Sequence, residues 1–251
     1  IMLGINTIHH ENFTKELLKN FDNESVDLFL LDPPYGINYK NSKDYNDSFK
    51  EVAWSSLEKG CWNSIKNTGN LIIFAGWTHS EHIKNIFFRW KFNNRIVWDR
   101  QKYHGAKYNF PNSAEDILWF SKSNKRTFNK IESTIKKVTK GFGLKNGREN
   151  RVLTNVWSDV PPIFPNKSEH LEGQKYKGQK PVFLIERIIQ IFSNPNDIVC
   201  DGYCGSGTTG VACIRQGRRY ILSDISEKAI SITNSRIEKE QKGLFHYREG
   251  K

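Results

Sequence analysis

The sequence is short of the features that would place it in a membrane, in an oxidising compartment or around a metal. No apolar run approaches the ~18 residues of a bilayer span, and no signal peptide opens the chain. Four cysteines (Cys61, Cys200, Cys204, Cys213) in 251 residues lack paired C-x-x-C spacing, and a disulfide framework is not expected in a chain this long. Cys204 and Cys213 read as small core residues. The histidines form no ligand pattern; His79 and His82 are three apart on a helix-like segment but have no evident partner ligands. No internal repeat is visible. Acidic residues are also in deficit, 27 Asp and Glu against 38 Lys and Arg, which leaves a net charge of +11. Together these absences indicate a reduced, cytoplasmic protein without a metal, and the charge excess indicates a polyanionic partner, most simply nucleic acid.

What is present suffices for one large domain with an attached or inserted smaller part. Hydrophobic residues make up 37% and aromatics 13%, spread along most of the chain. Val26 to Leu31 is a continuous apolar run suited to a buried parallel strand, stopped by Pro33 and Pro34. Before it, Thr14 is placed to cap a short helix carrying Leu17, Leu18 and Phe21. After it, Phe49, Val52, Ala53, Leu57, Cys61 and Ile65 recur at helical spacing, and Asn67 to Asn70 should close that helix. Leu71–Ala75, Arg95–Trp98 and Asp116–Phe120 read as further strands. Near the other end, Val182 to Phe192 forms an amphipathic helix, Ile198–Cys200 a strand, Val211–Arg215 a helix and Arg219–Ser223 another strand. This alternation predicts an α/β protein with a doubly wound, mostly parallel sheet covered on both faces.

Residues 121–175 read differently. Lys122, Lys125, Arg126, Lys130, Lys136, Lys137, Lys140, Lys145, Arg148 and Arg151 face few acids, and no clear periodicity emerges. The chain is therefore divided into a first half at 1–120, a basic insertion at 121–175 and a last half at 176–251, the first and last forming one domain. Such an insertion suits contact with nucleic acid, with Lys122, Lys125, Arg126, Lys136 and Lys137 as candidates.

Gly205, Gly207 and Gly210 match G-x-G-x-x-G between a strand and a helix, where glycine permits a sharp turn and close approach of a ligand. Asp224 ends the next strand, where an acid accepts hydrogen bonds from ribose hydroxyls. The motif serves NAD and S-adenosylmethionine alike and does not choose between a dehydrogenase and a methyltransferase.

Asp32-Pro33-Pro34-Tyr35 does choose. The lone pair of a nucleobase exocyclic amine is delocalised into the ring. Two acceptors taking both N–H bonds favour a pyramidal nitrogen with a localised lone pair, and the Asp32 carboxylate and Pro33 carbonyl supply two. The prolines stiffen the loop, and Tyr35 offers a face on which a base that has left its duplex can stack.

These motifs, with Ile96-Val97-Trp98, Glu115 through Lys122, Asn155-Val156-Trp157, Gln179-Lys180-Pro181 and Gly205 through Thr209, resemble the amino-group DNA methyltransferases in their β arrangement, catalytic motif first and cofactor loop last. The resemblance spans nearly the whole chain and is strongest to small adenine-N6 enzymes, both restriction–modification and solitary or phage-borne. It implies a Rossmann-like methyltransferase fold, S-adenosylmethionine as cofactor without a metal, and double-stranded DNA as substrate. Homodimers and a separate cognate restriction endonuclease belong to the same family picture. Carried over residue by residue, Asp32, Pro33, Pro34 and Tyr35 form the catalytic loop. Asp201, Tyr203, Gly205, Ser206, Gly207 and Thr208 line the methionine side of the cofactor, with Asp32 beside them, and Asp224 takes the ribose. Gln179, Lys180 and Pro181 close over the cofactor, and Asn12 and Phe13 lie near its adenine. The chain departs from the family at Gly202 and Tyr203, where Pro and Phe are usual, at Tyr176-Lys177-Gly178, where His-Pro-Thr is often found, and at Asn12, where aspartate is common. Gly202 is expected to loosen the turn, and Tyr203 adds a hydroxyl that needs a partner. Cytosine-N4 methylation is the rival within the class, although serine more often replaces Asp32 there; RNA is a rival substrate. An NAD-linked oxidoreductase leaves Asp32 to Tyr35 unexplained, and a non-catalytic DNA-binding protein leaves both loops coincidental.

Overall fold

The computed structural model describes residues 4–34, 52–101, 107–136, 150–160, 176 and 178–249. Tyr35, Phe49, Lys137, Lys140, Lys145, Arg148 and Lys177 therefore lie outside the described residues. In chain order the elements are β1 (Thr7–His10), a 3-10 turn (Leu17–Asn20), β2 (Val26–Leu31), α1 (Trp54–Ser64), β3 (Ile65–Ala75), α2 (Ser80–Ile86), β4 (Lys91–Asp99) and β5 (Ala114–Ser121). They continue with β6 (Glu132–Lys136), β7 (Asn150–Val152), β8 (Val156–Trp157), α3 (Val182–Phe192), β9 (Ile198–Asp201), α4 (Thr208–Gln216), β10 (Arg219–Asp224) and α5 (Glu227–Glu249).

Eight strands form one sheet in the order β1-β10-β9-β2-β3-β5-β4-β8, and β6 pairs with β7 separately. β5 runs antiparallel to both β3 and β4, while the other pairs in the large sheet are parallel. The sheet is thus doubly wound and mostly parallel. β2 is buried at every residue, as a central parallel strand must be when both faces are covered. Its side chains alternate between two cores. Leu28 and Leu30 join α3 and α4 through Leu184, Ile188, Ile189 and Ala212. Phe29 and Leu31 join α1 and α2 through Leu57, Cys61 and Ile83. Cys61, Cys200, Cys204 and Cys213 are all buried.

Local expectations gave way at two places. α1 stops at Ser64, and the chain enters β3 directly at Ile65, so Asn67 to Asn70 lie within a strand instead of closing a helix. Asn70 explains how a turn-forming sequence survives there. Its buried amide donates to the Thr127 and Phe192 carbonyls (2.8 and 3.0 Å) and accepts from Trp119 Nε1 (2.8 Å), replacing the local bonds asparagine otherwise seeks. Thr14 caps nothing: the 3-10 turn has no side-chain cap, and the Thr14 hydroxyl lies 3.2 Å from Tyr203 Oη.

The described part of 121–175 folds back onto the sheet. β8 extends it beside β4, with Trp98 opposite Trp157, and Trp157 is buried in the α3-side core. Buried Arg187 of α3 grips Asp159 through two bonds of 2.7 and 2.9 Å, which holds the Asp159 carboxyl far below its ordinary range despite its burial.

Candidate active site

In an open parallel sheet, ligands bind beyond the carboxyl ends of the strands where the winding reverses. Here β2 and β9 are parallel neighbours, so Asp32, one residue past β2, and Asp201, the last residue of β9, meet at that edge although 169 residues separate them in sequence (201 − 32). A cavity of about 650 Å³ opens between them, bordered also by Asn12, Gln179, Lys180 and Asp224. Pro34, Tyr203, Ser206 and Thr208 line it as well, as does Gly205. Pro33 is buried beneath the rim. Pro181, its φ of −59° already helical, precedes the first turn of α3.

Asp32 continues the alternation of Leu28 and Leu30 and so points toward the α3 side of the sheet. Lys180, just ahead of α3, reaches it: Nζ lies 2.7 Å from Asp32 Oδ2 and 2.9 Å from Glu115 Oε1. The ammonium also sits 4.8 Å from the Phe74 ring centre. Burial lowers its affinity for the proton, but the two carboxylates outweigh burial and hold Lys180 above its ordinary range. Glu115, buried near the start of β5, opens one of the segments that carry the family resemblance, but the resemblance assigns it no role.

The glycine turn is fixed from behind. Gly205 and Gly207 adopt left-handed φ of +53° and +75°. A Cβ on Gly207 would stand 2.7 Å from Thr233 Cγ2, and one on Gly210 2.6 Å from Ile237 Cδ1, so the missing side chains at these two positions make room for α5. Buried Arg236 of α5 donates to the Ser206 carbonyl (2.7 Å), the Ser206 hydroxyl (3.0 Å) and the Thr208 hydroxyl (3.0 Å). Thr233 bonds the Gly205 carbonyl at 3.0 Å. Thr233 and Arg236 escaped sequence reasoning because they lie far downstream, on a helix whose pattern shows only that one face is buried.

Three carboxylates, Asp32, Asp201 and Asp224, line the cavity with two lysines, Lys15 and Lys180. Burial, with Asp32 and Asp224 nearby, pushes the Asp201 carboxyl up to about 7, against hydrogen bonds from Thr209 and the Tyr203 N–H. Asp224 is raised too, chiefly by burial; it accepts the Gly205 and Ser226 N–H groups at 2.9 Å each. With Asp32 they make a site that favours a cationic ligand, beside apolar walls from Leu30, Phe74 and Ile185.

The departures from the usual motif find structural reasons. Gly202 is not slack: a Cβ there would fall 2.1 Å from the Phe13 ring. Phe13 is 2% exposed and packs edge-on against Tyr203, and it also lines the cavity beside Asn12. The Tyr203 hydroxyl has its partner in Thr14. Gly202→Ala is expected to destabilise the fold by about 1–3 kcal/mol through overpacking. Urea unfolding measures this, and adding Phe13→Leu should return part of the loss.

The basic candidates lie elsewhere. Because β5 runs antiparallel, Ser121 pairs with Asn70 while Asp116 pairs with Ala75, so the chain leaves β5 at the edge opposite Asp32. There Lys122 lies near Glu24 and over Trp62, Arg126 lies over Trp119, and Lys125 is exposed. Lys136 ends β6. Lys122, Lys125 and Arg126 are not among the residues that line the cavity. The catalytic edge instead carries Trp77, 61% exposed just past β3, and Tyr108 and Phe110, 89% and 92% exposed in the β4–β5 loop. Lys107 accompanies them, 5.2 Å from the Tyr108 ring centre. Trp77 does not line the cavity. Among the described residues no group of three or more His, Cys, Asp and Glu is arranged to hold a metal, and no helix is long and apolar enough to cross a membrane.

Known proteins share this arrangement. Residues 26–235 match the family model described as DNA methylase. The chain is 33% identical to the Type II methyltransferase M1.MboII of Moraxella bovis, over 93% of this chain and 96% of that one. It is 31% identical to the DNA adenine methyltransferase YhdJ of Escherichia coli K12, over 92% and 82%. In fold it is similar to the crystal structure of an M1.HpyAVI–SAM complex (TM-score 0.62, 24% identity, 92% and 98% covered). It is also similar to the cytosine-N4-specific PvuII DNA methyltransferase (TM-score 0.66, 17% identity, 95% and 91% covered). With the loops that follow β2 and β9 meeting at one sheet edge and the family model spanning most of its length, the chain belongs to the DNA methylase family.

Proposed function

We propose that the protein transfers the methyl group of S-adenosylmethionine to the N6 amine of adenine in double-stranded DNA. The observation that carries this reading is the placement of Asp32 at the mouth of a carboxylate-rich cavity whose glycine turn is already set. The residues fit the cofactor: three carboxylates suit a ligand that carries a sulfonium and an ammonium, and apolar walls suit its purine. When bound, S-adenosylmethionine supplies an electrophilic methyl group. Asp224 is the candidate for its ribose; its carboxylate accepts backbone bonds from Gly205, Ile225 and Ser226 and keeps acceptor capacity beyond them. Asn12 is the candidate for its adenine. Asp32 and the Pro33 carbonyl accept the two N–H bonds of the target amine, and Tyr35 stacks on the flipped base. Catalysis is then positioning and fixed electrostatics.

Adenine is favoured over cytosine by Asp32 and by the adenine enzyme among the relatives. The deciding experiment incubates the protein with DNA and labelled S-adenosylmethionine, then digests the DNA and identifies the modified nucleoside. N6-methyladenine is expected. N4-methylcytosine would shift the reading to the rival base, and label absent from nucleic acid would overturn it.

The duplex is read as approaching the carboxyl edge. Trp77, Tyr108 and Phe110 are its stacking surfaces, and Lys107 is a phosphate contact. Trp77→Ala and Phe110→Ala are each expected to weaken DNA binding by roughly tenfold or more. Lys125→Ala, at the far edge, should leave it near wild type in the same electrophoretic titration. Cytoplasmic residence, a homodimer and a partner restriction endonuclease complete the proposal on family resemblance.

A further inference from the structure

We propose that Lys180 is the positioning residue of Asp32, with Glu115 as the counter-anion that holds Lys180 in place, and that Lys180 is not a cofactor ligand. The inference rests on the methyl-transfer reading above. Three separate elements bring the trio together: Asp32 follows β2, Glu115 lies on β5 and Lys180 precedes α3. The lysine backbone is anchored by α3, because Pro181 leads directly into that helix and its Leu184, Ile185 and Ile188 are locked in the core. Its side chain is 12% exposed, and Glu115's is 8% exposed. A buried ammonium is tolerated only where its charge and its donors are met. Here the partners include Asp32 at 2.7 Å, Glu115 at 2.9 Å and the face of Phe74.

An aspartate side chain turns about two bonds, and a target amine meets it productively in only part of that range. A bond from Lys180 to Oδ2 fixes the plane of the carboxylate. The same ammonium separates two like charges. Without it Asp32 and Glu115 repel, and Asp32, at 28% exposure, is the one able to swing into solvent. Glu115 works from the other side, since it gives Lys180 a second anchor on a separate strand, β5.

The test uses the full chain and measures single-turnover methyl transfer to DNA alongside equilibrium binding of S-adenosylmethionine. Lys180→Met is expected to slow methyl transfer at saturating cofactor by roughly 100-fold, the scale of a misplaced reacting group, while cofactor affinity stays near wild type. Lys180→Arg should restore part of the rate, because a guanidinium still bridges both acids. Glu115→Gln should slow transfer less than Lys180→Met. Because Lys180 acts through Asp32, Lys180→Met should cost little further in an Asp32→Asn background. Loss of cofactor affinity with an unchanged saturating rate would make Lys180 a cofactor ligand and overturn the inference. So would equal effects of Lys180→Met in the wild-type and Asp32→Asn backgrounds. Wild-type protein that methylates DNA while Lys180→Met and Lys180→Arg both match it would sink this inference alone; wild-type protein that methylates no base would sink the reading beneath it as well. Thermal melts of each variant separate misfolding from mispositioning, and Lys180→Arg and Glu115→Gln decide the question if Lys180→Met does not fold.

Discussion

Asp32→Ala is expected to reduce methyl transfer by roughly 1,000-fold, the upper scale for removing one preorganised electrostatic contact at a reacting centre. The reason lies in the amine. Its lone pair is committed to the purine ring until both N–H bonds are held out of plane, and alanine leaves only the Pro33 carbonyl to hold them. Cofactor affinity should fall far less than transfer: one of the cavity's three carboxylates is lost, while the Asp201 carboxyl and the Gly205 turn stay supported from α4 and α5 and Asp224 keeps its backbone bonds. The fold should survive too, since Lys180 keeps Glu115 as a partner. Asp32→Asn retains one acceptor and should fall between the two. Single-turnover transfer and equilibrium cofactor binding, measured on the same preparations, separate the outcomes. Loss of both in equal measure would make Asp32 a structural residue.

The parts of this site that were legible in the sequence are those in which local chemistry and global fold ask for the same residue. The buried run of β2 needed no tertiary knowledge, since a strand covered on both faces must be apolar throughout. The prolines after Asp32 and the left-handed Gly205 and Gly207 are set by backbone geometry within a few residues. What could not be read is what the sheet assembles from distant segments. Glu115, Thr233 and Arg236 matter because of what β5 and α5 face, and periodicity reports that a face is buried without naming its neighbour. The place of the basic run after Ser121 was not legible for a related reason. Lysines are visible as charge, but the edge of the sheet at which they emerge depends on β5 running antiparallel, and nothing in an apolar strand encodes its direction. Asn67 to Asn70 show the reverse case, where turn propensity lost to buried partners on Thr127, Phe192 and Trp119.

Cofactor affinity should depend on pH through Asp201, and the sign is set by its surroundings. Burial, together with Asp32 and Asp224, raises its carboxyl from 3.8 to about 7, so near neutrality the ligand-free fold holds Asp201 about half protonated. S-adenosylmethionine carries net positive charge, which favours the ionised carboxylate, so binding expels the proton. Affinity should therefore be constant above about pH 7 and fall by up to about tenfold per pH unit below it, one proton being linked to binding. Calorimetry in buffers of different ionisation enthalpy would count that proton directly. Asp201→Asn should flatten the profile, because no group at that position then titrates. Stability of the ligand-free protein should move the other way. A carboxyl whose pKa is raised by folding stabilises the fold fully below its unfolded value of about 3.8 and loses that contribution as pH rises through about 7. The full difference corresponds to roughly 4 kcal/mol. Urea midpoints of the ligand-free protein should accordingly decline between pH 5 and pH 8, and saturating cofactor should blunt the decline, since the bound cation stabilises the form of Asp201 that the empty site disfavours. A cofactor affinity that stays flat from pH 5 to pH 8 would mean that Asp201 keeps its proton in the complex and that its bond to Thr209, rather than its charge, is what the site uses.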